Sequence, residues 1–446
     1  MKNVTIKLLL LTLLALLGVV FLAGCNKQPA NAEENTEPQV SNTPGREFDL
    51  GGYTIKIAQW WDGNPKDRKA IERYKAAEEK YNCKIQYVTI AWDQIVSKYI
   101  SSVLSGEPIA DIALFEMTMA LPVFAESDLI IPVDDYFDFN DPKWPPIIKQ
   151  TGRYAGKQYG FSNASWNLSG IYYNKELFNR LGLPDPYELQ ENGEWTWEKF
   201  LEIAQKATRD EDGDGQNETW GLAIQAHNLY SPLILSNDAN IINIDDNGKA
   251  SFALDEPNAI EALQFFGDLY NKYKVVVPAT NETDWYEAPQ RFSEGNIAMF
   301  FGQSWDGEDF KTAMKEECGF VFMPKGPKAS DYVVPVLQES KIFVMPKHAK
   351  YPEVAAKVFE EIYLFNNDLV GFEYWIGSFL NSDEGKKTAR QMLNKGKVSM
   401  HQGYPTFDGM LFENIAGEII TRKVPADIFI KNFKDKAQRA IDSEYE

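Results

Sequence analysis

Tyr53-Thr-Ile-Lys-Ile-Ala-Gln-Trp60 opens the folded part of the chain, with Tyr53, Ile55 and Ile57 alternating against Thr54, Lys56 and Ala58. A two-residue period of this kind is a strand. Outward from it, Asp67 to Lys80 sets Ile71, Tyr74 and Ala77 at helical spacing, and Lys84 to Ile90 alternates again. Trp92 to Leu104 returns to a helical pattern, and Asp111 to Phe115 is a short apolar strand. Strand–helix–strand–helix–strand predicts parallel pairing through right-handed crossovers, hence an α/β fold. Ligands of such sheets lie outside the carboxyl ends of the strands. Those ends here are Gln59-Trp60-Trp61-Asp62 and Phe115-Glu116-Met117-Thr118, so Trp60, Trp61 and Glu116 are candidate ligand contacts. Strand alternation requires that one of the two indoles point inward.

The remaining chain is too long for one core. About 400 residues follow the leader and tether described below, which predicts two lobes. A second unit starts after Gly156, with Gly160 to Asn174 extended and Thr196 capping a helix that carries Trp197, Phe200, Leu201 and Ala204 on one face. Glu256 to Tyr273 is another amphipathic helix, Gly319 to Met323 and Lys341 to Met345 are strands, and Pro352 to Leu364 is a helix with proline in its first turn. From Phe412 onward the chain reads as helix, broken most clearly at Pro425. There is no internal repeat.

Charge and cysteine usage exclude whole classes of function. The formal charge is −20, with 65 acidic against 45 basic residues. A surface this acidic repels phosphate backbones, so nucleic acid is not a partner. Three cysteines and three histidines provide neither a disulfide framework nor a zinc spacing. The N-terminus carries Lys2 and Lys7, an apolar run from Leu8 to Phe21, and then Leu22-Ala23-Gly24-Cys25. That is a secretory leader, residues 1–24. The cysteine after Leu-Ala-Gly resembles the lipobox of bacterial lipoproteins, which implies diacylglyceryl and palmitate chains on Cys25 and a place on the outer face of the cell membrane. Residues 25–45 hold one aliphatic side chain larger than alanine, Val40, and form a solvated tether.

Five segments in fixed order carry a wider resemblance. They are Gly156-Lys-Gln-Tyr-Gly160; Gly170-Ile-Tyr-Tyr-Asn-Lys-Glu-Leu-Phe178 with Leu181-Gly-Leu-Pro184; Glu194-Trp-Thr-Trp-Glu-Lys-Phe200; Phe292-Ser-Glu-Gly-Asn-Ile-Ala-Met299 with Gly302 and Trp305; and Phe322-Met-Pro-Lys-Gly-Pro327 ahead of Pro352-Glu-Val-Ala-Ala-Lys. Together they resemble the extracellular solute-binding proteins of ABC importers, in the group that takes sugars and oligosaccharides. The resemblance implies a two-lobe periplasmic-binding-protein-like α/β fold with a ligand cleft between the lobes. It places the first lobe at residues 46–155 and 318–365 and the second at 156–317 and 366–446. It implies a monomer that performs no catalysis, captures carbohydrate by lobe closure and delivers it to the permease subunits of an ABC transporter.

A sugar offers apolar C–H faces and a rim of hydroxyls, so its site needs aromatic platforms with converging amides and carboxylates. With 13% aromatic residues and 11 Trp the chain can supply them. Beside Trp60, Trp61 and Glu116, the resemblance points to Trp166 and Asn167 ahead of Tyr172-Tyr173-Asn174, and to Trp305 and Asp306 after Gly302; Trp375, Tyr404 and His401 are lesser candidates. Asp210, Asp212, Asp214, Gln216 and Glu218 stand at positions one, three, five, seven and nine of an EF-hand-type loop, with Gly215 at six. They predict a structural Ca²⁺, although the twelfth position is Gly221 where such loops place a bidentate glutamate. Two rival functions are a solute-binding protein for peptides or other non-sugar ligands, and an extracellular glycoside hydrolase. The latter needs two carboxylates flanking a cleft, and no paired motif marks them.

Overall fold

Two four-stranded sheets organise the chain. The computed structural model describes residues 39–40 and 48–445, apart from 145–146, 163–167, 226, 282–283, 315–317, 338–339 and 365–369. The leader, Cys25 and most of the tether therefore lie outside the described residues. Within the tether Gln39–Val40 is a two-residue strand. The strands used below are β1 Thr54–Gln59, β2 Lys84–Thr89, β3 Ile112–Glu116, β4 Ser169–Asn174, β5 Trp220–Ala223, β6 Ile297–Gln303, β7 Cys318–Val321, β8 Val334–Val336, β9 Lys341–Val344 and β10 Gly396–Val398.

The first sheet runs β9-β3-β1-β2. β1 pairs in parallel with both β2 and β3, and β9 lies antiparallel on β3. Helices Arg68–Tyr81 and Trp92–Leu104 make the crossovers. The first starts at Asp67, whose carboxylate accepts from the Ala70 amide, and ends at Asn82 in the left-handed region. Its core gathers Ile57, Ile112, Phe115, Phe124, Phe343 and Phe359.

The second sheet runs β7-β4-β6-β5, with β4 antiparallel to both neighbours and β5 parallel to β6. Every residue of β4 and β6 is buried, as expected of central strands covered on both faces. Alternation along β4 sends Tyr173 into one core with Trp195, Phe200 and Phe266, and Tyr172 into another with Phe300, Phe310 and Phe320. Thr196 caps helix Trp197–Ala207 as expected. The C-terminal region holds helix Pro405–Asn414, a wide-turn segment Ile415–Thr421 and helix Ala426–Asp442, whose N-cap is Pro425.

Two expected lobe boundaries shift. Gly156 is only the left-handed turn (φ 76°) between the short strands Arg153–Tyr154 and Lys157–Gln158. The chain stays with the first sheet as far as Phe161, which exchanges backbone hydrogen bonds of 2.9 and 2.7 Å with Phe343. Cys318 does not return the chain to the first lobe either. β7 pairs with β4 from Cys318–Asn174 to Val321–Ile171, and the first sheet resumes at Lys341. A short apolar strand carries no label for the sheet it will join. Cys83 and Cys318 lie in separate cores.

Candidate functional site

The carboxyl ends of the parallel strands carry a group of indoles. Beyond β1, Trp60 is half-buried against the first core, whereas Trp61 is 41% exposed, so alternation resolves as required. Their rings meet edge to face at 5.1 Å, and Gln59 Nε2 donates to the Trp61 carbonyl at 3.1 Å. Trp92, the first residue of its helix just past β2, is 52% exposed, and its Nε1 donates to Glu116 Oε1 at 3.2 Å. Glu116 ends β3 opposite Lys341. Burial raises its carboxyl above the usual range, opposed by the Trp92 hydrogen bond and the Lys341 charge. Sequence reading missed Trp92; its signal was an aromatic at the first helical turn after a strand's carboxyl end.

A cavity of about 240 Å³ lies among the elements of the second lobe, lined by Asn228, Tyr230, Trp285, Gln402, Asp408, Gly409 and Phe412. Its wall is built locally. Glu287 accepts from the amides of Thr280 and Asn281 at 2.7 and 2.9 Å, and Arg291 donates to the Pro278 carbonyl at 2.6 Å. Gln225 Nε2 donates to the Trp285 carbonyl at 2.5 Å. These bonds hold a loop that presents Trp285, 44% exposed. His227, beside Asn228, is held in the left-handed region at φ 60°, which histidine tolerates better than most non-glycine residues.

Asp408 sits in the first turn of its helix, with 29% of its side chain exposed. Burial pushes its carboxyl up to about 6. His401 Nε2 lies 3.5 Å away and its Nδ1 is 2.7 Å from Ser399 Oγ. Complete burial holds the imidazole down at about 3, so at pH 7 the histidine is neutral and the aspartate ionised. The Ser399 hydroxyl is itself buried, so Ser399 and His401 stand behind the cavity wall and Asp408 alone of the three lines it.

The cavity adjoins the first sheet through the turn His401–Gly403. A Cβ on Gly403 would lie 2.7 Å from the Leu121 carbonyl oxygen. Only glycine lets the turn carrying Gln402 approach the segment that continues β3 past Glu116.

The other expected contacts resolve differently. Trp166 and Asn167 lie outside the described residues. Trp305 is 37% exposed at the start of helix Ser304–Ala313 but does not line the cavity. Asp306 is 3% exposed, and its carboxylate accepts from the Gln303 amide at 2.8 Å as half of a capping box. An acid at the third helical position satisfies that geometry with no ligand involved. Tyr404 and His401 are buried, and Trp375 packs between Phe372 and Phe379. Gln402, Asp408, Asn228, Tyr230 and Phe412 came from no motif.

Away from the cavity, the carboxylates of Asp210, Asp212, Asp214 and Glu218 converge within 4.8 Å of one another, all exposed. The amides of Gly213 and Gly215 donate to Asp210 at 2.6 and 2.8 Å. Gln216 donates its side-chain amide to Asp214 at 3.3 Å. Gly221 is part of β5 and gives its amide to Thr208 Oγ1 at 3.0 Å.

The fold is thus two four-stranded sheets with a small polar and aromatic cavity among the elements of the second lobe. Residues 69–377 match the family of bacterial extracellular solute-binding proteins. The chain belongs to that family, which binds solutes and is not a class of enzymes. It is 22% identical over 327 residues to proteins of Brucella abortus and Brucella suis named only as binding proteins, covering 72% of this chain and 73% of theirs. Among solved structures it is similar to a cyclo/maltodextrin-binding protein complexed with maltotetraose, with TM-score 0.66 and 16% identity over 88% of this chain and 97% of that one. It is also similar to an ABC substrate-binding protein of Listeria monocytogenes in complex with cycloalternan, with TM-score 0.61 and 18% identity over 88% and 99% of the two chains. These likenesses identify the two-lobe periplasmic-binding-protein fold. No helix among the described residues is long and apolar enough to cross a membrane.

Proposed function

We propose that this protein captures an oligosaccharide for an ABC importer. The observation that carries the reading is the cavity, where two amides, a carboxylate, a tyrosine and the rings of Trp285 and Phe412 converge. That is the set a ring with apolar faces and many hydroxyls requires. The exposed indoles at the ends of β1 and β2 add further platforms. Solved relatives hold maltotetraose and cycloalternan, which supports the same ligand class here. Micromolar capture needs about −8 kcal/mol, within reach of a few stacked rings and charge-assisted hydrogen bonds. Lobe closure would then present the loaded form to the permease subunits. Cys25 would carry the lipid that keeps a monomeric receptor beside them, on the outer face of the membrane.

Isothermal titration and thermal shift with maltotetraose, cellotetraose, mannotetraose and galactotetraose, set against a tripeptide to pentapeptide library, test the reading. At least one saccharide is expected to raise the melting temperature by mass action. Shifts with peptides alone would assign the protein to the non-sugar rival.

The acidic loop fits Ca²⁺ in four of its positions, because converging carboxylates repel one another and a cation relieves that repulsion. Asp210, Asp212, Asp214 and Glu218 would supply side-chain oxygens and Gln216 its carbonyl. Gly221 offers no carboxylate, so affinity should be modest. Adding 1 mM CaCl₂ to EGTA-treated protein is expected to raise the melting temperature on the order of 2 °C, and Asp212→Asn to abolish the rise. An unchanged melt would remove calcium from the account.

A further inference from the structure

We infer that the cavity accepts neutral or positively charged saccharides and rejects acidic ones. The inference rests on the carbohydrate reading above and narrows it. Of the seven residues lining the cavity, Asp408 alone bears a charge. No lysine or arginine lines it among the described residues. The basic side chain nearest to Asp408 is His401, which is 1% exposed and neutral, so it cancels nothing. His227, on the turn before Asn228, is likewise buried and faces the Tyr270 hydroxyl at 3.3 Å and the Phe412 ring. Tyr230 stays protonated, its ionisation opposed first by burial and then by Asp408. The position of Asp408 in the first turn of its helix favours the anion.

Ligand hydroxyls donating to this carboxylate make charge-assisted hydrogen bonds. A ligand carboxylate would instead face a like charge in a partly desolvated pocket, with no cation to separate them. Across the junction, Glu116 has Lys341 opposite it, so that half is closer to balance. Charge discrimination therefore falls on Asp408.

The test uses the mature protein at pH 7.5 and matched ligands: the tightest of the four neutral tetrasaccharides, and the same sugar with one C6 oxidised to a carboxylate. The acid is expected to bind at least 30-fold more weakly than its parent. In Asp408→Asn, which keeps the shape and removes the charge, the gap should shrink to less than fivefold. Gln402→Lys, which adds a cation to the same wall, should narrow it as well and guards against a misfolded first variant. Binding of the acid within threefold of its parent, or a gap unmoved by both variants, overturns the inference while leaving sugar capture intact. If no tetrasaccharide binds in any form, the carbohydrate reading itself falls and takes this inference with it.

Discussion

Alanine at position 195 is expected to cost the fold about 3–5 kcal/mol, the range for emptying a large aromatic from a core. Trp195 is completely buried, its Nε1 donates to the Phe322 carbonyl at 2.8 Å, and its ring meets Phe200 at 5.9 Å. Its backbone also accepts from the Lys325 amide at 3.0 Å. One residue thus ties the start of helix Trp197–Ala207 to the chain leaving β7. Trp195→Ala removes the packing and strands the Phe322 carbonyl in an apolar setting. The melting temperature should fall by roughly 4–6 °C, read by calorimetry or far-UV circular dichroism. Trp61→Ala, at an exposed site, is the comparison and should shift the melt little. Equal shifts for the two would mean that the second core is not organised around this indole.

Trp285→Ala is expected to weaken saccharide binding by roughly tenfold to a hundredfold, about 1.4–2.8 kcal/mol, the scale of a central aromatic anchor. The melting temperature should move by less than ~2 °C, because the ring is substantially exposed. Its loop survives the change, since Gln225 holds the backbone carbonyl of residue 285 and Glu287 and Arg291 hold the rest. Titration calorimetry with the tightest neutral tetrasaccharide reads the loss. Unaltered affinity would place the ligand away from this cavity, on the indoles of the first lobe.

The first lobe was legible because its signals are local. The alternation of Tyr53 to Ile57 and the helical spacing of Ile71 and Tyr74 each act within one strand or a few turns. Residues 53–116 accordingly fall within a residue or two of their expected limits. Gly156 and Cys318 misled because a turn or an apolar strand looks the same whichever sheet it serves. Trp60 and Trp61 could be placed at a strand end, and Glu116 beside them, from connectivity alone. The cavity could not be seen in this way. Asn228, Trp285 and the stretch holding Gln402 and Asp408 are three segments far apart in sequence, joined only by packing. Asp306 carries a role that sequence reading did not name: the acid beside the expected aromatic platform caps its own helix.

The hydrogen bond from Trp92 to Glu116 has a consequence for what the first lobe can distinguish. An indole has a single N–H, and here it is already engaged. That ring can therefore greet a visitor only with its faces, which need flat hydrocarbon and are obstructed by a hydroxyl standing axial on the stacked side. In the proposed reading the remaining hydroxyls would be recognised by the amides and carboxylate of the cavity, while the face of Trp92 would serve as a shelf tolerant of varied linkage.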